Sequence, residues 1–156
     1  MKHSLLVLII LSSTLLLWAS EKNAANNSKT ANLTEANRAI VSRFVDLFYR
    51  QKKVRAAFEA YVSENYTQHN PEIADGREAA IMVLEPMFSK PTFTVDVKRI
   101  IVDGDIAVVH LFARSNPEER GGSVMDMFRL KNGKIVEHWD VLQTIPEKSA
   151  NPHPMF

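Results

Sequence analysis

From residue 34 onwards, apolar side chains recur at helical spacing. Ile40, Val41, Phe44, Val45, Leu47 and Phe48 fall on one face of a 3.6-residue period, which predicts a first helix over residues 34–51. Thr34 or Asn32 is available as its N-cap, and Arg50, Lys52 and Lys53 stand at the end where cations suit the helix dipole. Val54, Ala57, Phe58 and Tyr61 form the apolar face of a second, short helix over residues 54–62. Residues 64–76, ENYTQHNPEIADG, have no period and carry Asn-Pro and Asp-Gly, both turn chemistries; they predict a loop presenting Tyr66, Gln68, His69 and Asn70. Helical spacing resumes over residues 77–88 through Ala80, Ile81, Leu84 and Phe88, with Asp75 as the cap and Pro91 as the stop.

Beyond Pro91 the period becomes two. Residues 92–102 and 105–115 read as strands joined at Asp103-Gly104. A polar connector follows at 116–122, and then a second hairpin at 123–143, SVMDMFRLKNGKIVEHWDVLQ, turns at Asn132-Gly133, where both residues tolerate positive φ. Three helices followed by four antiparallel strands make an α+β domain with helices on one face of a curved sheet. A short strand near residues 61–66 is a candidate extra edge.

The second hairpin carries groups that a plain structural sheet does not need: Asp126, Arg129, Glu137, His138, Trp139 and Asp140. Ionisable residues inside buried strands cost free energy unless paired or used. Asp126, between Met125 and Met127, is the candidate acid–base carboxylate, with a salt bridge to Arg129 or Arg114 as the structural alternative. With a simple two-residue turn, Asp126 and Phe128 share a face with Trp139, while His138 and Asp140 lie on the other; Asp126 and His138 meet only if a bulge intervenes. On the first hairpin, His110 alternates with Ile106, Val108 and Phe112, a face that matches Phe93, Val95 and Val97 across the turn. It is therefore either a satisfied core histidine or a pocket residue.

Both faces of residues 105–113 are apolar, one through Ala107, Val109, Leu111 and Ala113, the other through Ile106, Val108 and Phe112. Helices cover only one face of such a sheet. The face carrying Val109, Ile100 and Val102 is expected to be the outer one, covered by a second copy in a homodimer.

The 156 residues are 46% hydrophobic and 24% charged, a profile that fits one globular domain. The formal charge is +1, and removing residues 1–20, which include Lys2, leaves none, so nucleic acid is a poor partner. With no cysteine, disulfides, a thiolate nucleophile and zinc–thiolate sites are excluded. Residues 1–20 have a basic start, an apolar stretch and small residues at the end, the layout of a signal peptide for export; an uncleaved membrane anchor is the minority reading. Residues 21–32, EKNAANNSKTAN, read as a flexible linker to a domain at 33–156.

The loop Tyr66-Thr67-Gln68-His69-Asn70-Pro71, then Asp75-Gly76, His110, Asp126-Met127-Phe128-Arg129 and the run from Gly133 to Asp140, GKIVEHWD, together resemble the SnoaL-like polyketide cyclase family of the nuclear-transport-factor-2-like superfamily. The resemblance implies a cone-shaped curved sheet whose three N-terminal helices enclose a pocket, commonly in a dimer formed through the outer sheet face. It also implies acid–base aldol chemistry on a small hydrophobic carbonyl compound, with no metal and no cofactor. On this reading Asp126 is the base, and His110 or Tyr66 stabilises the enolate. His69, Phe112, Phe128, Trp139 and His138 are the candidate substrate contacts. Two of His69, His110 and His138 with Asp140 would be a metal set, but no tight spacing pairs the histidines. The export signal supports a second reading, an exported non-catalytic protein that binds a small hydrophobic ligand.

Overall fold

The computed structural model describes the backbone from residue 4 and the side chains from residue 21. The expected signal peptide, residues 1–20, therefore lies outside the fully described residues. Three helices and five strands follow one another: α1 (Ser4–Val45), α2 (Val54–Tyr61), β1 (Val62–Gln68), α3 (Arg77–Phe88), β2 (Thr94–Asp103), β3 (Ile106–Arg114), β4 (Gly122–Lys131) and β5 (Lys134–Thr144). A π-helical turn, Asp46–Arg50, links α1 to α2. The strands form one curved sheet in the order β1-β5-β4-β3-β2, antiparallel except for β1, which joins β5 in parallel. The expected α+β architecture holds. The edge strand near residue 62 is β1 and brings the loop after α2 beside the second hairpin.

Residues 21–32 depart from expectation. They continue α1 as an exposed helix rather than a flexible linker. Thr34 is not a cap; its hydroxyl accepts from Gly104 N at 2.9 Å, while Asn37 Nδ2 donates to Gly104 O at 2.8 Å. These two bonds clamp the β2–β3 turn onto α1. Asp75 does not cap α3 with its side chain; it accepts from Gln68 N at 2.7 Å and ties the loop to the end of β1.

The core lies between the helices and one sheet face. Val41, Phe44, Val45 and Phe48 pack with Phe58, Ile81 and Phe88 against Val109, Leu111, Phe128 and Ile135. Phe44 holds the two layers together, its ring centroid 5.7 Å from Phe58 and 5.4 Å from Phe128. Asn132 (φ 52°) and Gly133 (φ 77°) both take the left-handed conformation that their hairpin turn requires.

Two bulges set which residues share a face. In β2 the extra residue is Lys98: Arg99 pairs with His110, but Val97 pairs with Leu111 and Val95 with Ala113. In β5 it is Val136: Leu130 pairs with Ile135, but Arg129 pairs with Glu137, Phe128 with His138 and Asp126 with Asp140. Because side chains alternate with period two, each extra residue moves everything beyond it to the other face. β3 carries no bulge, and its inner face is Ala107, Val109, Leu111 and Ala113, which corrects the expectation that Val109 faces outward; Val109 is fully buried under the helices.

Candidate functional site

The helices do not cover the sheet to its end. Between them and β3–β5 lies a cavity of about 720 Å³, walled mainly by aromatic and aliphatic side chains, among them Phe48, Phe58, Phe88, Phe93, Leu111 and Val124. One cluster of its polar groups comes from four segments. β4 contributes Asp126, β5 contributes His138 and Asp140, and the end of β1 with the following loop contributes Tyr66, Gln68 and Asn70. Tyr49 comes from the π-helical turn, where Phe48 and Tyr49 are both buried.

Asp126 is 8% exposed and is held on two sides. Tyr49 donates its hydroxyl to Asp126 Oδ2 at 2.5 Å, and His138 Nε2 stands 3.4 Å from Asp126 Oδ1. His138, also 8% exposed, places Nδ1 2.7 Å from Gln68 Oε1, which also accepts from Asn70 N at 2.9 Å. Its ring lies between Tyr66 and Phe128, with centroids 6.3 and 5.0 Å away. Across the hairpin from Asp126, Asp140 Oδ2 accepts from Asn70 Nδ2 at 2.6 Å. The result is one connected chain, Tyr49–Asp126–His138–Gln68–Asn70–Asp140, along an otherwise apolar wall.

Burial pushes both tyrosine hydroxyls well above their ordinary pKa, and the negative charge of Asp126 adds to the effect in each case. Tyr49 and Tyr66 are therefore proton donors at neutral pH. A hydrogen bond between Gln68 and the Tyr66 hydroxyl acts in the opposite direction, favouring the phenolate.

Of the candidates from the sequence, Asp126, Tyr66, Phe128 and His138 line the cavity. Asp126 and His138 meet because the bulge at Val136 is present. The same bulge corrects Trp139, which turns to the outer face and stacks on His69, with centroids 4.7 Å apart and planes 5° from parallel. His69 is likewise outside the cavity, its Nε2 2.9 Å from Glu137 Oε1. His110 and Phe112 also belong to the outer face. His110 bridges Arg99 Nη1 (3.1 Å) and Ser123 Oγ (2.9 Å), and Phe112 packs on Phe156 at 4.9 Å. The apolar face to which sequence alternation assigned His110 is the side turned away from the helices.

Within this hydrogen-bonded chain, Tyr49, Gln68, Asn70 and Asp140 were not among the catalytic or substrate-binding candidates drawn from the sequence. Asp140 had a usable signal, since it lies two residues from His138 on the same strand face. Tyr49 had none: helical periodicity stops being a guide where the helix widens into a π turn. Asp126, His138 and Asp140 also offer ligand atoms within 4.8 Å of one another, a donor set that suits a divalent cation. Those residues are already engaged by Tyr49, Gln68 and Asn70, as protons require. The acid–base and cation readings compete for the same atoms.

A SnoaL-like domain matches residues 41–138, which include every strand except the last part of β5. Among solved structures, an NTF2-like protein of unknown function from Mesorhizobium loti is 22% identical, over 70% of this chain and 93% of that one, with a TM-score of 0.61. A putative ketosteroid isomerase from Kribbella flavida is 18% identical, over 76% and 85% of the two chains, at 0.61. A putative SnoaL-like polyketide cyclase from Jannaschia is 18% identical, over 70% and 87%, at 0.56. No curated protein sequence matches the chain. At these identities the structural matches establish the shared fold.

Proposed function

The chain belongs to the SnoaL-like domain family, and from that premise we propose that its cavity performs acid–base chemistry at a carbonyl group of a small, largely apolar molecule. The observation that carries this reading is Asp126, a nearly buried carboxylate in contact with a tyrosine hydroxyl and an imidazole on the wall of an aromatic cavity. A salt bridge from Asp126 to Arg129 or Arg114, the structural alternative, is absent among the described residues: Arg129 pairs instead with Asp105 and Glu137, 3.0 and 2.9 Å away.

In the proposed step, Asp126 takes a proton from the carbon next to the carbonyl, and the electron pair of the C–H bond moves to the carbonyl oxygen. Tyr66 donates a hydrogen bond to that developing enolate oxygen, and His138 receives the proton from Asp126 through Nε2. The enolate carbon then either attacks a second carbonyl of the same molecule, closing a ring, or is reprotonated elsewhere, giving an isomer. The aromatic walls favour a substrate with few charges.

Deuterium exchange from heavy water into a panel of cyclic ketones and poly-β-ketones tests the reaction class without the natural substrate. Asp126→Asn should slow exchange by about 100-fold or more. Equal exchange with the parent and the variant would remove Asp126 from the mechanism. Tight binding of a panel member without any exchange would favour the second reading, a non-catalytic ligand-binding protein, which the apolar cavity also suits.

We propose export as well, supported by the basic start and apolar stretch of residues 1–20; recovery of the full-length chain only from the cytosol would refute it. Among the described residues no helix is long and apolar enough to cross a membrane. Homodimerisation through the outer sheet face is supported by Ile101 (58% exposed), Met125 and Val141 (70% exposed), which leave apolar surface where the helices do not reach.

A further inference from the structure

Gln68 is engaged on every side. Its backbone N–H donates to Asp75 Oδ1 at 2.7 Å, and it pairs with His138 across the parallel β1–β5 ladder, where His69 N donates to His138 O at 3.0 Å. Its side-chain oxygen receives Asn70 N at 2.9 Å. A backbone N–H can only donate, so the atom facing it is the amide oxygen, and the orientation of the Gln68 amide follows from its surroundings. That same oxygen lies 2.7 Å from His138 Nδ1. An acceptor at that distance requires Nδ1 to carry a proton. In the neutral imidazole, Nε2 then holds the lone pair, and Nε2 is the atom that faces Asp126 Oδ1.

We infer that Gln68 is a positioning residue that holds His138 in its Nδ1–H tautomer, so that Nε2 is free to exchange a proton with Asp126. Without that acceptor, Nε2 can carry the proton, and His138 can then no longer receive one from Asp126 through Nε2, although the pair holds the same number of protons. The two acceptor positions of one oxygen are filled by Asn70 N and His138 Nδ1, so the end of β1 and the loop after it set the protonation of a residue on another strand. This inference rests on the acid–base reading for its purpose, but not for its test.

Nitrogen-15 NMR of the histidine rings, with His138 assigned from a His138→Gln variant, reads the tautomer directly. The parent protein at neutral pH should show a protonated Nδ1, and Nε2 should be either unprotonated or sharing its proton with Asp126. Gln68→Leu should move the signal toward the Nε2–H form, and Gln68→Glu, which keeps an acceptor oxygen, should restore Nδ1–H. A parent spectrum with protonated Nε2 and bare Nδ1 overturns the inference, even where Gln68→Leu fails to fold. A folded Gln68→Leu variant that retains the parent tautomer overturns it equally. Deuterium exchange unaffected by Asp126→Asn, together with the expected tautomers, would refute the proposed reaction and leave the role of Gln68 intact.

Discussion

The hydroxyl of Tyr49, at the end of the first helical segment, donates to Asp126 Oδ2 in the fourth strand across 2.5 Å of buried space. This contact joins the helical layer to the sheet at the point where the cavity begins. Tyr49→Phe keeps the ring and removes the donor, which leaves a buried carboxylate oxygen without its partner. The expected loss is about 1–3 kcal/mol of folding stability, measured by urea denaturation at neutral pH. A variant as stable as its parent would show that the bond contributes nothing to the fold.

Alkaline pH should weaken the fold through the tyrosines. Burial, reinforced by the charge of Asp126, raises the folded-state pKa of Tyr49 and Tyr66 well above 10.0. An unfolded chain releases these protons first, so their contribution to stability is complete below a pH of about 10 and declines as pH climbs from there through the folded-state values. Spectrophotometric titration should show Tyr49 and Tyr66 ionising only as the protein unfolds. Early phenolate absorbance from these two residues, identified by its loss in Tyr→Phe variants, would contradict the buried site.

Deletion of Val136 tests the bulge. Without the extra residue, either His138 and Asp140 leave the cavity and Trp139 enters it, or the strand strains to keep its register. The deletion should cost at least about 3 kcal/mol and abolish the contact between His138 and Asp126. Val136→Gly retains the residue count and should keep both the fold and the His138 tautomer. A deletion variant with parental stability and an unchanged histidine spectrum would show that the bulge does not set the site.

The two sheet faces respond differently to a new charge. Val109 is fully buried beneath the helices, so Val109→Asp should unfold the domain, with a loss of about 4 kcal/mol or more. Val141 stands on the outer face, and Val141→Asp should leave the monomer folded while splitting the proposed dimer. Sedimentation equilibrium decides: a parent protein that stays monomeric at high micromolar concentration refutes the dimer.

Helix and strand positions were legible because they depend on local periodicity. The 3.6-residue recurrence from Ile40 to Phe48 marks the core face of α1, and the helix expected over residues 77–88 is found at Arg77–Phe88. Asn132-Gly133 forms the hairpin turn that its conformational freedom suggested. The chemistry-bearing stretches at residues 66–70 and 126–140 were also visible, as polar and ionisable groups among residues otherwise suited to a core. These features are written in neighbours along the chain, and a window of ten residues contains them.

What only the tertiary structure decided was which side of the sheet each of those groups occupies. One extra residue at Lys98 and another at Val136 invert the alternation beyond them. The extra residue in β2 turns Val95 and Val97 to the inner face beside Leu111 and Ala113, and the one in β5 sends Trp139 outward and brings His138 in to Asp126. His110 and Phe112 face outward because the helices cover the other side of the regularly alternating β3. A bulge relieves the curvature that a sheet takes on when it wraps around helices, so its position answers to the packing of the whole layer and leaves little trace in the local sequence. Tyr49 reached the site for a related reason: its side chain is aimed by a π turn whose benefit lies in contacts 77 residues away.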